Sequence, residues 1–308
     1  MGSARLSRFA LLGALAACHR AAPVPPGASR SIHVTVGGVS RTALLHVPAN
    51  AVRPAPLVLN LHGSGGTAAR QEWDTAMDAV ADAHGFIVAY PQAAIALGDG
   101  FAWNIPGQPL LDGRSVPSGA ADDAPFIRAL VETLEHEEGV DPQRVFVTGM
   151  SGGGRMTSQL GCELPGLFAA IAPVAGLRFP AACENAPAVP VMAIHGTGDR
   201  VNPYEGHGGA YWTYGVRDAE QRWAAHNACA GAPEVAPIAP GVTRMAYTQC
   251  RGGADVWLYT LAGVGHEWPG GPNETTMLDA DETIWSFFSG HSASREPSRE
   301  PSRERDAH

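Results

Sequence analysis

The segment that most constrains the fold of this chain is GMSGGGRMTSQL, which runs from Gly149 to Leu160. It follows the β-branched run RVFVT and precedes a helical pattern, so it predicts a strand, a tight turn and a helix in that order. The G-x-S-x-G spacing places Ser151 in the turn, where glycine permits a strained backbone and a close approach of strand and helix. A turn that merely requires glycine is one interpretation. The strand before and the helix after favour the other, a nucleophilic serine.

Strand-like and helix-like segments alternate along the rest of the chain. Short buried or alternating runs predict strands at 31–36, 43–47, 57–61, 86–89, 144–147, 168–173, 189–194 and 256–260. Helical spacing predicts helices at 73–83, 124–138, 153–162 and 279–288. This alternation predicts the α/β class, with a mostly parallel central sheet and helices on both faces.

Composition and charge narrow the class of function. The 308 residues are 45% hydrophobic and 17% charged, enough for one large α/β domain, which we expect over 31–290. The net charge of −9 and the pI near 5.7 argue against a nucleic-acid partner, because such binding needs clustered lysine and arginine.

The first residues resemble a secretory signal. Arg5 and Arg8 precede an apolar run that is too short to span a membrane and ends in LAAC at Cys18. LAAC is similar to a bacterial lipobox, which predicts a lipoprotein signal peptide over 1–17, lipidation of Cys18 and membrane contact only through that lipid. A plain signal peptide cleaved nearby is the alternative. Both place the protein outside the cytoplasm.

Two further terminal segments look unstructured in the sequence. A stretch rich in proline, alanine and glycine predicts a flexible tether over 18–30. The repeated polar unit in SREPSREPSRER predicts a disordered tail over 291–308, because it has almost nothing to bury.

Four cysteines remain when Cys18 is set aside, an even number that suits an oxidising compartment. Three pairings are possible. We favour Cys162 with Cys183 and Cys229 with Cys250, because each closes a short loop and short loops cost less entropy to close. Zinc binding is the competing interpretation, but no CxxC or close Cys/His spacing supports it, and no metal is expected.

A serine nucleophile needs a base and a carboxylate that orients the base, in the chain order serine, acid, histidine. Asp199 follows the strand VPVMAIH and is the preferred acid, and His266 in LAGVGHEWPGG follows the strand VWLYT and is the preferred base. A structural role in a loop turn or helix cap is the alternative interpretation of Asp199. Alternatives ranked lower are the acids Asp218, Asp255 and Glu234 and the bases His62 and His195.

The oxyanion of a tetrahedral intermediate needs fixed backbone N–H donors. Gly152, next to the serine, is one candidate donor, and Ser64 in LHGSGG is the other. A simple glycine-rich strand-to-helix turn is the alternative interpretation of LHGSGG. Three aromatic residues, Trp103, Tyr211 and Trp268, are candidate pocket walls, with an ordinary core or surface position as the alternative.

With these residues identified, the chain resembles the esterase family that includes poly(3-hydroxybutyrate) depolymerases, feruloyl esterases and acetyl xylan esterases. The resemblance covers about 31–288 and rests on ordered motifs: LHGSGG, AWN, DDAPFIRALVETL, VDPQRVFVTGMSGGGRM, CELPGLFAAIAPVAG, HGTGDRVNPY, GVGHEWPGG and DETIWSFF. One departure is Pro125, which stands where the family often has glycine.

The resemblance implies an α/β-hydrolase fold, a triad of Ser151, Asp199 and His266, and a family disulfide between Cys229 and Cys250. It also implies a secreted serine carboxylesterase of the polyhydroxybutyrate depolymerase or feruloyl esterase type that needs no cofactor. An acetyl xylan esterase or other small-ester hydrolase is the alternative, and a non-catalytic ligand-binding lipoprotein is a third. Because no polymer-binding module is recognisable, we expect small or oligomeric esters as substrates.

Overall fold

The computed structural model describes residues 29–272 and 274–293. The expectations for the signal peptide, the lipidated Cys18, nearly all of the tether and most of the tail therefore lie outside the described residues. Everything stated below about the structure refers to the described part of the chain.

A ten-stranded sheet forms the centre of the molecule, in the order β1-β2-β4-β3-β7-β8-β9-β12-β11-β10. Strands β4, β3, β7, β8, β9 and β12 are parallel neighbours, and antiparallel strands flank them at both edges. A separate hairpin pairs β5 with β6. The strands are β1 (Arg30–Val36), β2 (Val39–His46), β3 (Ala55–Leu61), β4 (Ile87–Pro91), β5 (Ile95–Leu97), β6 (Gly100–Ala102), β7 (Val140–Met150), β8 (Ala170–Val174), β9 (Val191–Gly196), β10 (Glu234–Ala239), β11 (Val242–Tyr247) and β12 (Val256–Leu261).

Helices cover both faces of this sheet, because its central strands send alternate side chains to opposite sides. The helices are α1 (Ala68–Asp74), α2 (Met77–His84), α3 (Asp123–Glu138), α4 (Gly152–Glu163), α5 (Val216–His226) and α6 (Ala280–Phe288). In β7, Val145 and Val147 belong to a hydrophobic cluster that includes side chains of α3, α4 and α5, whereas Phe146 belongs to a second cluster that includes side chains of α2 and α6.

The main difference from the sequence prediction lies before β4. One helix was expected over 73–83, but the chain forms α1 and α2 with a break at Thr75, whose backbone is extended. The Thr75 hydroxyl donates to the Gln71 carbonyl and accepts from the side chain of Asn60, contacts that fix the end of α1. Long-range bonds of this kind override local helical spacing.

Both expected disulfides are present. Cys162–Cys183 joins the end of α4 to the 3₁₀ turn Ala181–Asn185, and Cys229–Cys250 joins the segment after α5 to the segment after β11. Such bonds are typical of proteins that function outside the reducing cytoplasm. Within the described range, no helix combines the length and apolarity that crossing a membrane requires.

Candidate active site

Ser151 occupies the sharp turn between β7 and α4, at the carboxyl end of the sheet. Its φ of 55° lies in the left-handed region that side chains rarely adopt, and its amide donates to the Val174 carbonyl at 2.9 Å. A side chain at Gly153 could not fit, since a Cβ there would lie 2.1 Å from the Leu61 carbonyl oxygen. The glycines of the turn therefore let α4 start directly against β3 and hold Ser151 in a strained conformation.

Asp199 and His266 come together from the loops after β9 and β12, which are adjacent parallel strands. The Nδ1 atom of His266 lies 2.7 Å from Oδ2 of Asp199. His266 and Ser151 line the same cavity, but no hydrogen bond between them is among the described contacts. Such bonds often tighten only when substrate is bound.

Asp199 is held as a carboxylate by several donors. Its Oδ1 atom accepts from the amides of Val201 and Asn202, each at 2.8 Å, and Oδ2 lies 3.3 Å from Nε2 of His195 as well as near His266. Burial would raise the pKa of Asp199, but the hydrogen bonds from His195 and His266 outweigh burial and hold that pKa below its usual range. A fixed anion beside His266 can orient the imidazole and stabilise its protonated form.

His195, an alternative base in the sequence analysis, contacts the carboxylate of Asp199. It lies on β9, fully buried, and its Nε2 atom is 2.9 Å from the Asn202 carbonyl oxygen. A carbonyl only accepts, so Nε2 carries the proton, and the same N–H faces Asp199. The signal for this contact is the spacing in HGTGD, which puts both residues at one strand end.

Gly152 and Ser64 lie against each other at the start of α4. A Cβ built on Gly152 would be 2.8 Å from the Ser64 amide nitrogen and 2.3 Å from its Oγ atom. The first amides of a helix lack intrahelical acceptors, so the Gly152 N–H is free to donate to a ligand. The two candidate oxyanion donors are therefore neighbours beside Ser151.

His62 and Trp103 support the segment that carries Ser64. The Ala93 amide donates to Nε2 of His62 at 3.2 Å, so Nδ1 holds the proton and donates to the Gly63 carbonyl at 2.8 Å. Burial lowers the pKa of His62 to about 4, so the ring is neutral at neutral pH. The Trp103 indole donates to the His62 carbonyl at 2.7 Å.

The three aromatic residues expected as pocket walls have other positions. Trp103 is buried against His62, and Trp268 is buried in the core with its indole donating to Asp281 at 3.0 Å. Tyr211 is half-buried, and the guanidinium carbon of Arg155 lies over its ring, 4.5 Å from the ring centre. Both tryptophans are therefore buried and hold neighbouring residues by hydrogen bonds, and they do not form pocket walls.

A cavity of about 370 Å³ contains the site. Its walls come from the loop after β3, from α1, from the turn at Ser151 and from the His266 loop, with Leu111 and Val201 at its side. Among the described residues that line it, none is phenylalanine, tyrosine or tryptophan. In the described ranges, no three histidine, cysteine or acidic side chains cluster as a metal site would need.

The chain is similar in sequence to known esterases. The Esterase PHB depolymerase family matches residues 40–206, more than half of the chain. NocK of Nocardia uniformis subsp. tsuyamanensis, which is named as an esterase, is 31% identical over 280 residues, covering 81% of this chain and 76% of NocK. Feruloyl esterase B of Piromyces equi is 32% identical over 225 residues, covering 70% of this chain but only 40% of that protein.

A solved structure supports the fold. The acetyl xylan esterase from Aspergillus awamori superposes with a TM-score of 0.60 at 18% identity, covering 84% of this chain and 99% of that one. The fold is therefore that of an α/β-hydrolase, and the expected fold class is confirmed. The protein is an enzyme of the ester-hydrolysing class. It belongs to the Esterase PHB depolymerase family, which confirms the resemblance seen in the motifs.

Proposed function

We propose that this protein is a carboxylesterase that works through an acyl-enzyme on Ser151, with His266 as the base and Asp199 as its orienting carboxylate. The observation that carries the proposal is the 2.7 Å contact between His266 and Asp199 beside a cavity that also exposes Ser151 in its strained turn. A binding protein without catalysis would have no need for this arrangement.

The chemistry follows from the positions of the donors and acceptors. His266 takes the proton of Ser151 as the serine oxygen attacks the ester carbonyl, and Asp199 stabilises the imidazolium that forms. The amides of Gly152 and Ser64 donate to the oxyanion. His266 then protonates the leaving alcohol, and a water molecule activated by the same histidine releases the acid.

The cavity favours short aliphatic acyl groups. Feruloyl esterase B acts on a feruloyl group by its name, yet the described walls here offer no phenylalanine, tyrosine or tryptophan ring on which such a group could stack. A volume of about 370 Å³ has room for an acetyl or 3-hydroxybutyryl ester, and the preference rests on the residues of the walls rather than on the volume. We therefore propose short-chain esters or oligoesters as substrates, ahead of feruloyl esters.

We further propose that the enzyme acts outside the cytoplasm. The two disulfides support this location, and the signal-like sequence before Cys18 adds anchoring through a lipid on that cysteine. Incorporation of labelled palmitate that persists in Cys18→Ser would contradict the anchor.

The test is hydrolysis of 4-nitrophenyl acetate, a soluble 3-hydroxybutyrate trimer and methyl ferulate by the wild type and Ser151→Ala. We expect kcat of the variant to fall on the order of 10⁶, as in other serine hydrolases. Ser40→Ala, at an exposed position in β2, is the matched control and keeps full activity. Equal activity of Ser151→Ala and wild type would refute the mechanism, and a clear preference for methyl ferulate would refute the acyl-group proposal.

A further inference from the structure

Arg155 lies one turn into α4, four residues after Ser151, and is buried beside the candidate oxyanion donors. Its side chain is only 3% exposed. One terminal nitrogen donates to Oγ of Ser64 at 3.2 Å, and the other donates to Oε1 of Gln108 at 3.1 Å. Tyr211 covers the guanidinium plane. The proposed reaction assigns no role to this arginine.

Among the residues that the structure describes, no carboxylate forms an ion pair with Arg155. The ionisable groups that act on its pKa are Tyr211 and a second cation, Arg178, and its Nε atom has no hydrogen-bond partner within the described part of the chain. Burial lowers the pKa of Arg155 to about 10, so the group stays protonated at neutral pH. A buried cation without a counter-ion is costly, and such costs are commonly retained at functional sites.

The position of this charge matches the place where negative charge develops. The Ser64 side chain that Arg155 contacts belongs to the residue whose amide faces Gly152. A cation in a water-poor site stabilises an anion that forms nearby more strongly than it would in water. The neutral ester gains little from the same charge.

We propose that Arg155 is a positioning residue that holds Ser64 in the oxyanion site and supplies uncompensated positive charge behind it. This inference rests on the proposed function of Ser151. It gives Arg155 an effect on the anionic intermediates and not on binding of the neutral ester, and Tyr211 keeps the guanidinium in place.

The test compares Arg155→Met and Arg155→Lys with the wild type on 4-nitrophenyl acetate. We expect kcat of Arg155→Met to fall about 10- to 100-fold with KM nearly unchanged, less than is typical for loss of a direct oxyanion donor. The affinity for phenylboronic acid, which forms an anionic tetrahedral adduct with a serine, falls by a similar factor. Arg155→Lys keeps the charge without the planar fork and recovers part of kcat.

Arg178→Met is the matched control, because Arg178 is also a buried arginine but donates to the Tyr214 carbonyl and stacks on the Tyr214 ring. We expect it to lower thermal stability and to change kcat less than about threefold. A double-mutant cycle of Arg155→Met with Ser64→Ala should be non-additive in kcat, because the two side chains share one contact.

Three results would overturn the inference: kcat of folded Arg155→Met within twofold of wild type, a rise in KM at constant kcat, or unchanged boronate affinity. If Arg155→Met does not fold, kcat of Arg155→Lys and a double-mutant cycle of Arg155→Lys with Ser64→Ala provide the same test. Failure of the proposed function is distinguishable, since then wild type and Ser151→Ala hydrolyse the ester equally.

Discussion

Asp199 shows at the scale of one residue how the loop after β9 prepares a carboxylate. Four donors surround it: two amides and the side chains of His195 and His266. Because these donors stabilise the charged form, Asp199 stays ionised while His266 takes up and returns a proton in the proposed reaction.

We predict that Asp199→Asn lowers kcat by about 10⁴, because an amide favours the wrong tautomer of the base. Asp218→Asn is the matched control, since Asp218 only caps the start of α5 and is exposed. Steady-state kinetics on 4-nitrophenyl acetate decide between them. An equal loss in both variants, or a loss in Asp218→Asn alone, would move the acid away from Asp199.

The residues with a fixed motif context were predictable from the sequence. Ser151, Asp199 and His266 each follow a strand that the pattern identifies, and parallel strands bring their carboxyl ends to one edge. Trp103 and Trp268 were not, because a tryptophan next to a motif can point into the core or into a pocket. Only the packed structure shows that their indoles donate to His62 and Asp281.

At the scale of elements, Asp281 ties α6 to two other parts of the fold. Its Oδ2 atom accepts from the Trp268 indole at 3.0 Å and from the Ala76 amide at 3.1 Å, at the junction of α1 and α2. Trp268 lies two residues after His266. The buried carboxyl of α6 therefore fixes the loop that presents the candidate base.

This carboxyl makes stability depend on pH. Burial raises the pKa of Asp281 to about 7, so the folded state keeps a proton that the unfolded state has lost above about pH 4. The stabilisation that this proton gives to the folded state is complete at low pH and is lost as the pH rises to about 7. Over that range the free energy of unfolding falls by up to about 1.4 kcal/mol per pH unit. We predict that Asp281→Asn removes this slope, as urea unfolding between pH 5 and 8 measures.

The comparison with the wild type cancels the contribution of other groups, including His62, whose lowered pKa acts in the opposite direction. Identical pH profiles of the two proteins would show that Asp281 is already ionised in the folded enzyme.

Helix α5 and the hairpin of β10 and β11 were not predicted from the sequence, and the physical reasons differ. Helix α5 does show helical spacing, since Val216, Ala219 and Trp223 are buried on one side, so a closer count would have found it. The hairpin of β10 and β11 could not be found in that way. Its first strand is mostly exposed and contains Pro237, so neither burial nor alternation marks it.

At the scale of the whole molecule, the two disulfides close loops with the same sequence separation of 21 residues. The bonds differ in their surroundings, because Cys162 at the end of α4 and Cys183 are buried whereas Cys229 and Cys250 are partly exposed. Because the two loops are equally long, any difference in stability between variants that lack one or the other bond reports the surroundings of the bond and not the loop length.

We predict that replacing either pair by alanine lowers the free energy of unfolding by about 3 kcal/mol through the unfolded chain. Loss of Cys162–Cys183 costs more, because it also leaves a gap in the packed core. Urea unfolding of both double variants gives the two values. A larger loss of unfolding free energy for the Cys229–Cys250 pair would contradict the importance of core packing around Cys162 and Cys183.

Covalent labelling can identify the attacking atom itself, and we expect it to mark Ser151 as the nucleophile. The wild-type enzyme is treated with a fluorophosphonate, and the modified peptide is located by mass spectrometry. We expect one adduct per chain, on Ser151, formed far more slowly in His266→Ala but at the wild-type rate in His226→Ala, at the partly exposed last residue of α5. An adduct on any other serine, or equal labelling of His266→Ala and wild type, would contradict it.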